Sequence, residues 1–308
     1  MKGLSKDRNK IFKKCLSNYQ LYLMILPALV FIILFEYLPM YGVQIAFRDF
    51  NFKDGIVNSD WVGLENFKRL FNSYWFPIIF KNTISLSGLR LLIGFPMPII
   101  FALMVNEISN GKVKKWLQTV SYAPHFISTV VMCGMIILFL TPETGLFNII
   151  IQAFGGESIS FMQNPKMFKW IHVLSGIWQG TGWSAIIYFA ALSGVDQGLL
   201  EAAQIDGANR LQRIRYINLP VLVPTIMIQL ILSMGSILSV GYQKILLLQN
   251  TLNLNASEVI STYVYKVGLQ NYQYSFSTAA NLFNSLVNCM MLITVNYIVK
   301  KMTKTSLF

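Results

Sequence analysis

The sequence predicts an all-α membrane protein with six transmembrane helices and both termini in the cytoplasm. Of its 308 residues, 54% are hydrophobic and 12% are charged, whereas soluble domains carry roughly 25% charged residues. Six stretches are apolar and long enough to cross a bilayer core, which takes roughly 20 residues of helix. Lysines and arginines alternate between dense and sparse connections along the chain. This composition excludes an ordinary soluble enzyme.

The six predicted spans contain almost no charged residues. Glu36 interrupts the first and Arg90 the second, while the other four contain no Asp, Glu, Lys or Arg. We expect these two charges to neutralise each other or to reach the outer interface, because an unpaired charge inside a membrane is costly. A basic segment precedes the first span, whose apolar part is too long for a signal peptide, and this favours an uncleaved helix. The spans are predicted at residues 21–47, 82–106, 116–142, 170–195, 216–243 and 278–299.

The basic residues predict the orientation of these spans. Fifteen of the 25 lysines and arginines lie in the N-terminal segment, the second and fourth connections and the C-terminal tail, and nine lie in the other three connections. The positive-inside rule places the dense connections in the cytoplasm. The net charge of +12 therefore reflects membrane orientation, and no nucleic-acid partner is predicted.

The cysteines and histidines predict neither a disulfide framework nor a metal site. Cys15, Cys133 and Cys289 are far apart, and neither His125 nor His172 has companions at ligand spacing. We expect the cysteines to be buried apolar residues and the histidines to be hydrogen-bonded packing residues. The sequence therefore predicts no catalytic residue and no metal ligand.

The connections on the outer side contain two predicted amphipathic helices. Apolar residues recur at helical spacing in residues 64–71 and again in residues 146–154, where Gly155 and Gly156 end the pattern. We expect both helices to lie in the membrane interface and to serve packing or anchoring. The prolines expected to bend the second, third and fifth spans are Pro96, Pro98, Pro124, Pro220 and Pro224.

The fourth connection, residues 196–220, predicts a helix-turn-helix that lies parallel to the membrane, which we call the elbow. Asp196 is a suitable N-cap for a short helix. Gly207 can adopt the left-handed conformation that ends such a helix and reverses the chain. Asn209, with Gln212 three residues later, predicts the capping box of a second short helix.

The elbow resembles the EAA loop of permease subunits of type I ATP-binding-cassette importers. Glu-Ala-Ala at residues 201–203 is followed by Asp-Gly-Ala at residues 206–208, and Ile-x-Leu-Pro begins ten residues after the glycine. In that family the loop is the coupling helix that docks in a cleft of the cytoplasmic ATPase. The resemblance implies an ATPase-coupling role for Glu201, Ala202, Ala203, Asp206, Gly207, Ile217, Leu219 and Pro220.

The resemblance covers nearly the whole chain. Residues 37–42, 61–67, 122–125 and 205–209 are similar to carbohydrate-permease subunits of bacterial oligosaccharide and polysaccharide uptake. The resemblance implies the transmembrane domain of that importer type, of the maltose-permease kind. The expected organisation is a basic cytoplasmic N-terminus at 1–18, a first membrane helix with an outer interfacial loop at 19–81, the transmembrane domain at 82–299 and a cytoplasmic tail at 300–308.

The fourth and fifth spans contain the expected solute path. Glycines can interrupt an apolar helix, and broken helices near the midplane commonly line solute sites. Aromatic faces stack on sugar rings, and amides hydrogen bond to hydroxyls, although small residues in membrane helices also serve as packing surfaces. Position relative to maltose-type permeases points to the same segments. The candidates are Gly176, Trp178, Gln179, Gly180, Trp183, Ser233, Ser236, Ser239, Tyr242 and Gln243.

No motif in the chain supplies energy for transport. The sequence lacks G-x-x-x-x-G-K-[ST], the loop that cradles nucleotide phosphates. We therefore expect no cofactor in this chain, with ATP and magnesium held by a separate ATPase. The resemblance implies a bacterial cytoplasmic-membrane complex with a second permease subunit, expected to be a different chain, two cytoplasmic ATPase subunits and an extracellular solute-binding protein.

Two alternatives stay open. In the first alternative, the chain is a permease for a non-sugar solute, although the scarcity of charge inside the membrane argues against an ionic cargo. In the second it is a membrane-embedded enzyme acting on lipid-linked sugars. Such an enzyme needs a catalytic acid, base or metal cluster, and the acids of the outer connections show no paired arrangement.

Overall fold

The computed structural model describes residues 18–303, most of which are helical. Helices suit an apolar chain in a membrane because each one satisfies its own backbone hydrogen bonds. Cys15, nearly all of the predicted N-terminal segment and residues 304–308 of the predicted tail lie outside the described residues.

The first predicted span is one apolar run of 29 residues. Helix α1 (Tyr19–Ile32) continues through a π-helical turn (Ile33–Tyr37) and a 3-10 segment (Leu38–Phe47). No residue of α1 is buried within the chain, whereas the 3-10 segment packs on the last helix. An antiparallel pair of strands and two short helices follow, namely β1 (Arg48–Asp49), α2 (Gly55–Asn58), β2 (Asp60–Trp61) and α3 (Glu65–Phe71).

The second span is formed by α4 (Trp75–Leu89) and α5 (Pro96–Asn106), joined by a π-helical turn at Arg90–Gly94. Asn82, where the transmembrane domain was expected to begin, lies inside α4. Pro96 stands in the first turn of α5, where its missing N–H is tolerated.

The predicted bend of the third span at Pro124 is confirmed, and it is sharp enough to divide the span into two helices. Helices α6 (Gly111–Tyr122) and α7 (Thr129–Phe139) meet at an angle of 97°. Pro124 lies in the 3-10 turn between them, and the Ser128 hydroxyl caps α7 by accepting from the Val131 N–H at 3.3 Å. The 11 residues of α7 rise only about 16 Å, too little to cross a bilayer alone.

The prediction of an interrupted fourth span is wrong. After α8 (Leu146–Ala153), which confirms the second amphipathic helix, α9 (Pro165–Leu192) runs unbroken for 28 residues. It begins five residues before the predicted span because Asn164 caps it, accepting from the Lys166 N–H at 3.0 Å. Its glycines keep helical conformation and instead permit close approach. A Cβ on Gly182 would overlap the backbone oxygen of Ser121 in α6.

The fifth span ends earlier than predicted. The elbow contains α10 (Gln197–Ile205), α11 (Arg210–Arg213) and a π-helical turn (Ile214–Asn218), and leads into α12 (Leu219–Met234). Gly235 caps α12, so Ser236 and Ser239 lie beyond it, in the connection to the next helix. The remaining elements are α13 (Tyr242–Leu248), α14 (Leu254–Ser257), α15 (Ile260–Tyr265), a π-helical turn (Lys266–Gln270) and α16 (Tyr274–Thr303).

Four described helical runs are long and apolar enough to cross a membrane, and the bent pair α6–α7 makes a fifth if it is one span. Helix α9 is about 42 Å long but does not meet the same criterion of hydropathy, because Gly, Gln, Thr and Trp interrupt its apolar residues. The four runs are Tyr19–Phe47, Trp75–Asn106, Arg210–Met234 and Tyr274–Thr303.

Two expectations about individual residues are corrected. Glu36 and Arg90 do not form an ion pair: Glu36 is exposed in the turn after α1, and the Arg90 guanidinium instead approaches the Ser239 carbonyl oxygen at 3.5 Å. Cys133 is buried as expected, whereas Cys289 is exposed on α16, a surface of the isolated chain.

Two of the three apolar clusters of buried residues join α9 to its neighbours. One joins α4, α7, α9 and α13 around Met132, Phe168 and Ile245. The other joins α5, α9 and α12 around Leu103, Tyr188 and Leu222. Side chains of the elbow pack on the second cluster, so this cluster connects the elbow to the long helices.

Candidate functional site

The elbow is closed by local hydrogen bonds, as the sequence predicts. The Asp196 carboxylate accepts from the Gly198 N–H at 2.9 Å and caps α10. Gly207 has a φ of +78°, and the Ala208 N–H donates to the Ala203 carbonyl at 2.9 Å, a helix-ending pattern that satisfies an orphan carbonyl. Asn209 and Gln212 form the reciprocal capping box, at 2.7 and 2.9 Å.

The elbow presents apolar side chains that nothing in the described chain covers. Ile205 is 87% exposed and Leu211 is 73% exposed, and α10 contains no buried residue. On the motif, Glu201, Ala202 and Asp206 are exposed, as is Pro220 at the start of α12. Ile217 and Leu219 instead pack on the apolar cluster of α5, α9 and α12. The first part of the motif is thus exposed, whereas Ile217 and Leu219 attach it to the helix bundle.

A buried ion pair fastens the elbow to the second span. Glu107, directly after α5, accepts from Arg213 at 2.7 Å and from the Asn218 side chain at 2.9 Å. The same arginine donates to the Ala208 carbonyl at 3.3 Å. The side chains of Arg213 and Glu107 are 15% and 10% exposed. These contacts join the elbow directly to the end of α5.

The sequence analysis did not identify Glu107 as a functional residue. Its signal in the sequence was a single acid at the start of a connection rich in lysines. Nothing near it in the sequence showed that its partners lie more than 100 residues further along the chain.

The second candidate site is a groove of about 1020 Å³ bounded by α4, α5, α9, α12 and α13. This is near the upper limit of the roughly 300–1,000 Å³ usual for small-molecule sites. Six of the predicted path residues line it. They are Gly176, Gln179, Gly180, Trp183, Ser233 and Ser236.

Four predicted path residues lie outside this groove. Ser239, Tyr242 and Gln243 do not line it. All three lie beyond the end of α12 at Met234, and the chain turns at Gly241, which has a φ of +79°. Trp178, on α9 and half-exposed, does not line it either.

The break in the third span holds two of the groove residues in place. Trp183 stacks flat on His125, with ring centroids 4.4 Å apart and an angle of 2° between the planes. The Gln179 side-chain amide donates to the Ile127 carbonyl at 2.9 Å. His125 is therefore a packing residue, as expected, although its partner is a ring.

The groove contains two cations that the sequence analysis had not assigned to it. Arg90 lines it from the turn between α4 and α5, and Lys244 lines it from α13. The Lys244 ammonium donates to the backbone oxygen of His172 at 2.8 Å. A Cβ on Gly176 would lie 3.4 Å from this nitrogen, so the glycine leaves room for the ammonium against α9.

Sequence reasoning had counted Lys244 in an outer connection. Its position at the end of an apolar run was a weak signal, and only the turn at Gly241 brings it back toward α9. The expectation that little charge lies along the solute path is therefore not supported by the placement of Arg90 and Lys244.

Comparison with known proteins adds a family match. Residues 94–304 match the family described as binding-protein-dependent transport system inner membrane component. The chain is 41% identical over 303 residues to the polygalacturonan/rhamnogalacturonan transport system permease protein YteP of Bacillus subtilis (strain 168), covering 98% of this chain and 94% of that protein.

Two further likenesses extend this result. The trehalose/maltose transport system permease protein MalF of Thermococcus litoralis is 30% identical over 215 residues, or 68% of this chain and 70% of that protein. A solved chain of a bacterial alginate ABC transporter, in complex with an alginate pentasaccharide-bound periplasmic protein, is 39% identical with a TM-score of 0.89. The match covers 97% of this chain and 100% of that chain.

Proposed function

The chain belongs to the family of inner membrane components of binding-protein-dependent transport systems, and from this premise we propose that it passes an oligosaccharide through a bacterial membrane as one permease half of an ATP-driven importer. The observation that carries the proposal is the elbow. Its capped helices present Ile205 and Leu211 outward, while its other end is tied to α5 through Glu107. An exposed apolar surface at one end and an attachment to a membrane helix at the other are expected of a segment that a second protein binds and moves.

The groove supports a saccharide as the cargo. It combines an aromatic face at Trp183 with the Gln179 amide and serine hydroxyls, which match the apolar faces and the hydroxyls of sugar rings. The relatives named for polygalacturonan/rhamnogalacturonan and trehalose/maltose transport point to the same class of solute. A relative named for sn-glycerol-3-phosphate transport, 29% identical over 213 residues, is the support for a non-sugar cargo, and it is less similar to this chain than YteP at 41%. An enzyme acting on lipid-linked sugars has no comparable support.

We propose six membrane crossings with both termini cytoplasmic. The bent pair α6–α7 is the third crossing and α9 is the fourth. Gln179, Thr181 and Ser184, which lower the hydropathy of α9, line the groove, where a membrane helix can carry them because they face a cavity. With this orientation the elbow lies on the cytoplasmic side and α3 and α8 lie on the outer side, in the interface.

The proposed assembly contains a second permease chain, two cytoplasmic ATPase subunits that hold ATP and magnesium, and an extracellular solute-binding protein. The groove is open on one side within this chain, and a facing subunit would close it. Closure of the ATPase pair pulls on the elbow, and the ion pair at Glu107 transmits the movement to α5. Rigid-body rotation of the two halves then exposes the groove alternately on each side.

The test is ATP-dependent uptake in proteoliposomes containing this chain, its partner permease, its ATPase and its binding protein. Ile205→Asp is expected to abolish ATPase copurification and uptake, since a charge at the centre of an apolar interface costs about 2 kcal/mol or more, or roughly 30-fold in affinity. Ile205→Val keeps an apolar side chain and is the matched control. Uptake that continues without ATP, or full activity of Ile205→Asp, would contradict the proposed function.

A further inference from the structure

The charges that line the groove all have one sign. Arg90 and Lys244 are both lining residues, and no Asp or Glu is among the described residues that line it. Neither cation has an ion-pair partner within residues 18–303. A chain that must place charges inside a membrane normally pairs them, because an isolated charge there is costly.

A third cation nearby shows what pairing looks like in this chain. Lys266 donates to the Glu258 carboxylate at 2.6 Å and to the Gln249 side-chain oxygen at 2.6 Å. By contrast, Lys244 makes one hydrogen bond, to the His172 backbone oxygen, and an ammonium has three donors. Arg90 has a single long approach to the Ser239 carbonyl at 3.5 Å. Both groove cations therefore retain donors for a ligand.

One ring nitrogen of a buried histidine in the wall of the groove has no hydrogen-bond partner among the described residues. His172 lines the groove and is only 6% exposed, yet its Nδ1 atom has no hydrogen-bond partner among the described residues. A buried polar atom without a partner is unfavourable because it has lost its hydrogen bonds to water. The wall of the groove beside Lys244 thus contains a desolvated polar atom.

We propose that the cargo is an anionic oligosaccharide built of uronic acid residues, with Arg90 and Lys244 as counter-charges for its carboxylates. This inference rests on the proposed function and narrows its substrate class. Guanidinium and ammonium groups both form charge-assisted hydrogen bonds with carboxylates. The size of the groove and the stacked Trp183 favour a chain of sugar rings over a small inorganic anion, which would need neither.

The experiment compares two matched panels of labelled cargo in the reconstituted importer. The acidic panel contains tetragalacturonate and tetramannuronate, and the uncharged panel contains their fully methyl-esterified forms with maltotetraose and cellotetraose. The wild-type importer is expected to take up at least one acidic tetrasaccharide about tenfold or more faster than its ester, which corresponds to about 1.4 kcal/mol. Binding of each sugar to the solute-binding protein is measured separately, so that selectivity in the membrane is distinguished from selectivity in capture.

Variants at the two cations test the assignment. Arg90→Gln and Lys244→Gln are each expected to lower uptake of the acidic sugar by roughly 10-fold or more, the loss of one charge-assisted hydrogen bond. Lys115→Gln removes an exposed cation outside the groove and is expected to have no effect. Arg90→Lys and Lys244→Arg keep the charge and should retain most of the uptake. They show whether a loss in the Gln variants comes from charge or from folding.

The outcomes separate this inference from the function on which it rests. Uptake of uncharged sugars alone, or equal uptake of acid and ester by wild-type, overturns the anionic cargo and leaves the importer intact. The anionic cargo is likewise overturned if the Gln variants transport the acidic sugar as well as Lys115→Gln does. ATP-dependent uptake of no saccharide from either panel overturns the proposed function itself.

Discussion

The elbow and the groove are built in opposite ways. The elbow lies within residues 196–220, and its caps join residues two to five positions apart, such as Asp196 to Gly198 and Asn209 to Gln212. The groove takes residues from Ser87 to Lys244, on five helices. The elbow can be predicted from the sequence because its hydrogen bonds are local, whereas the groove depends on how distant helices pack. Changes in the two regions should therefore fail in different ways.

The largest effect is expected where α9, a helix of the groove, touches α6. Gly182→Ala places a Cβ against the backbone oxygen of Ser121, so α6 and α9 must separate. We expect a loss of more than about 3 kcal/mol, beyond ordinary overpacking, measured as thermal unfolding of the purified complex in detergent. Gly180→Ala is the control, because no atom lies within 4 Å of a Cβ there. Equal stability of the two variants would show that this helix contact is not tight.

The next largest effect is expected at the junction of the elbow and the second span. Glu107→Ala leaves Arg213 and the fully buried Asn218 without their carboxylate. We expect a loss of about 3 kcal/mol, the lower end for a broken buried pair, since both charged side chains keep some exposure. ATP-dependent uptake should fall by more than the loss of folded complex accounts for. Glu157→Ala, at an exposed residue after α8, is expected to change neither thermal unfolding nor uptake.

Within the elbow, Gly207 tests the local construction. Its φ of +78° is strained for other residues, although a Cβ there would meet no atom within 4 Å. Gly207→Val should cost about 1–2 kcal/mol of conformational energy and abolish uptake without changing sugar capture by the binding protein. Gly207→Asn, which tolerates this conformation, should retain transport. Full uptake by the valine variant would show that the turn does not set the coupling geometry.

The smallest effect is expected from one aromatic face. Trp183 lines the groove and stacks on His125, while Trp178 lies outside the groove. Trp183→Ala should lower sugar uptake by up to about tenfold, since a stacked aromatic contact is worth roughly 0.5–1.5 kcal/mol. Trp178→Ala should leave sugar preference unchanged. The reverse result, read from uptake rates over the same panel of tetrasaccharides, would place the path on the other side of α9.

Predictions from sequence succeeded where a feature is completed within a few residues. The cap at Asp196, the left-handed Gly207, the capping box and α8 before Gly155 were predicted as the structure has them. They failed for the sharpness of the bend at Pro124 and for the end of the fifth span, because apolar composition does not reveal that α6 and α7 meet at 97° or that α12 ends at Met234. Ser239, Tyr242 and Gln243 were assigned to the path because the fifth span was taken as continuous.

By itself, the sequence determined that this is an apolar helical chain, and it determined the elbow and the family resemblance, since these depend on composition and on contacts between near neighbours. Only the tertiary structure decided that Lys244 joins Arg90 in the groove, that Trp178 does not line it, and that Glu107 fastens the elbow to α5. The physical reason is that the face a helix turns to the interior depends on where it bends and on which distant helix packs against it.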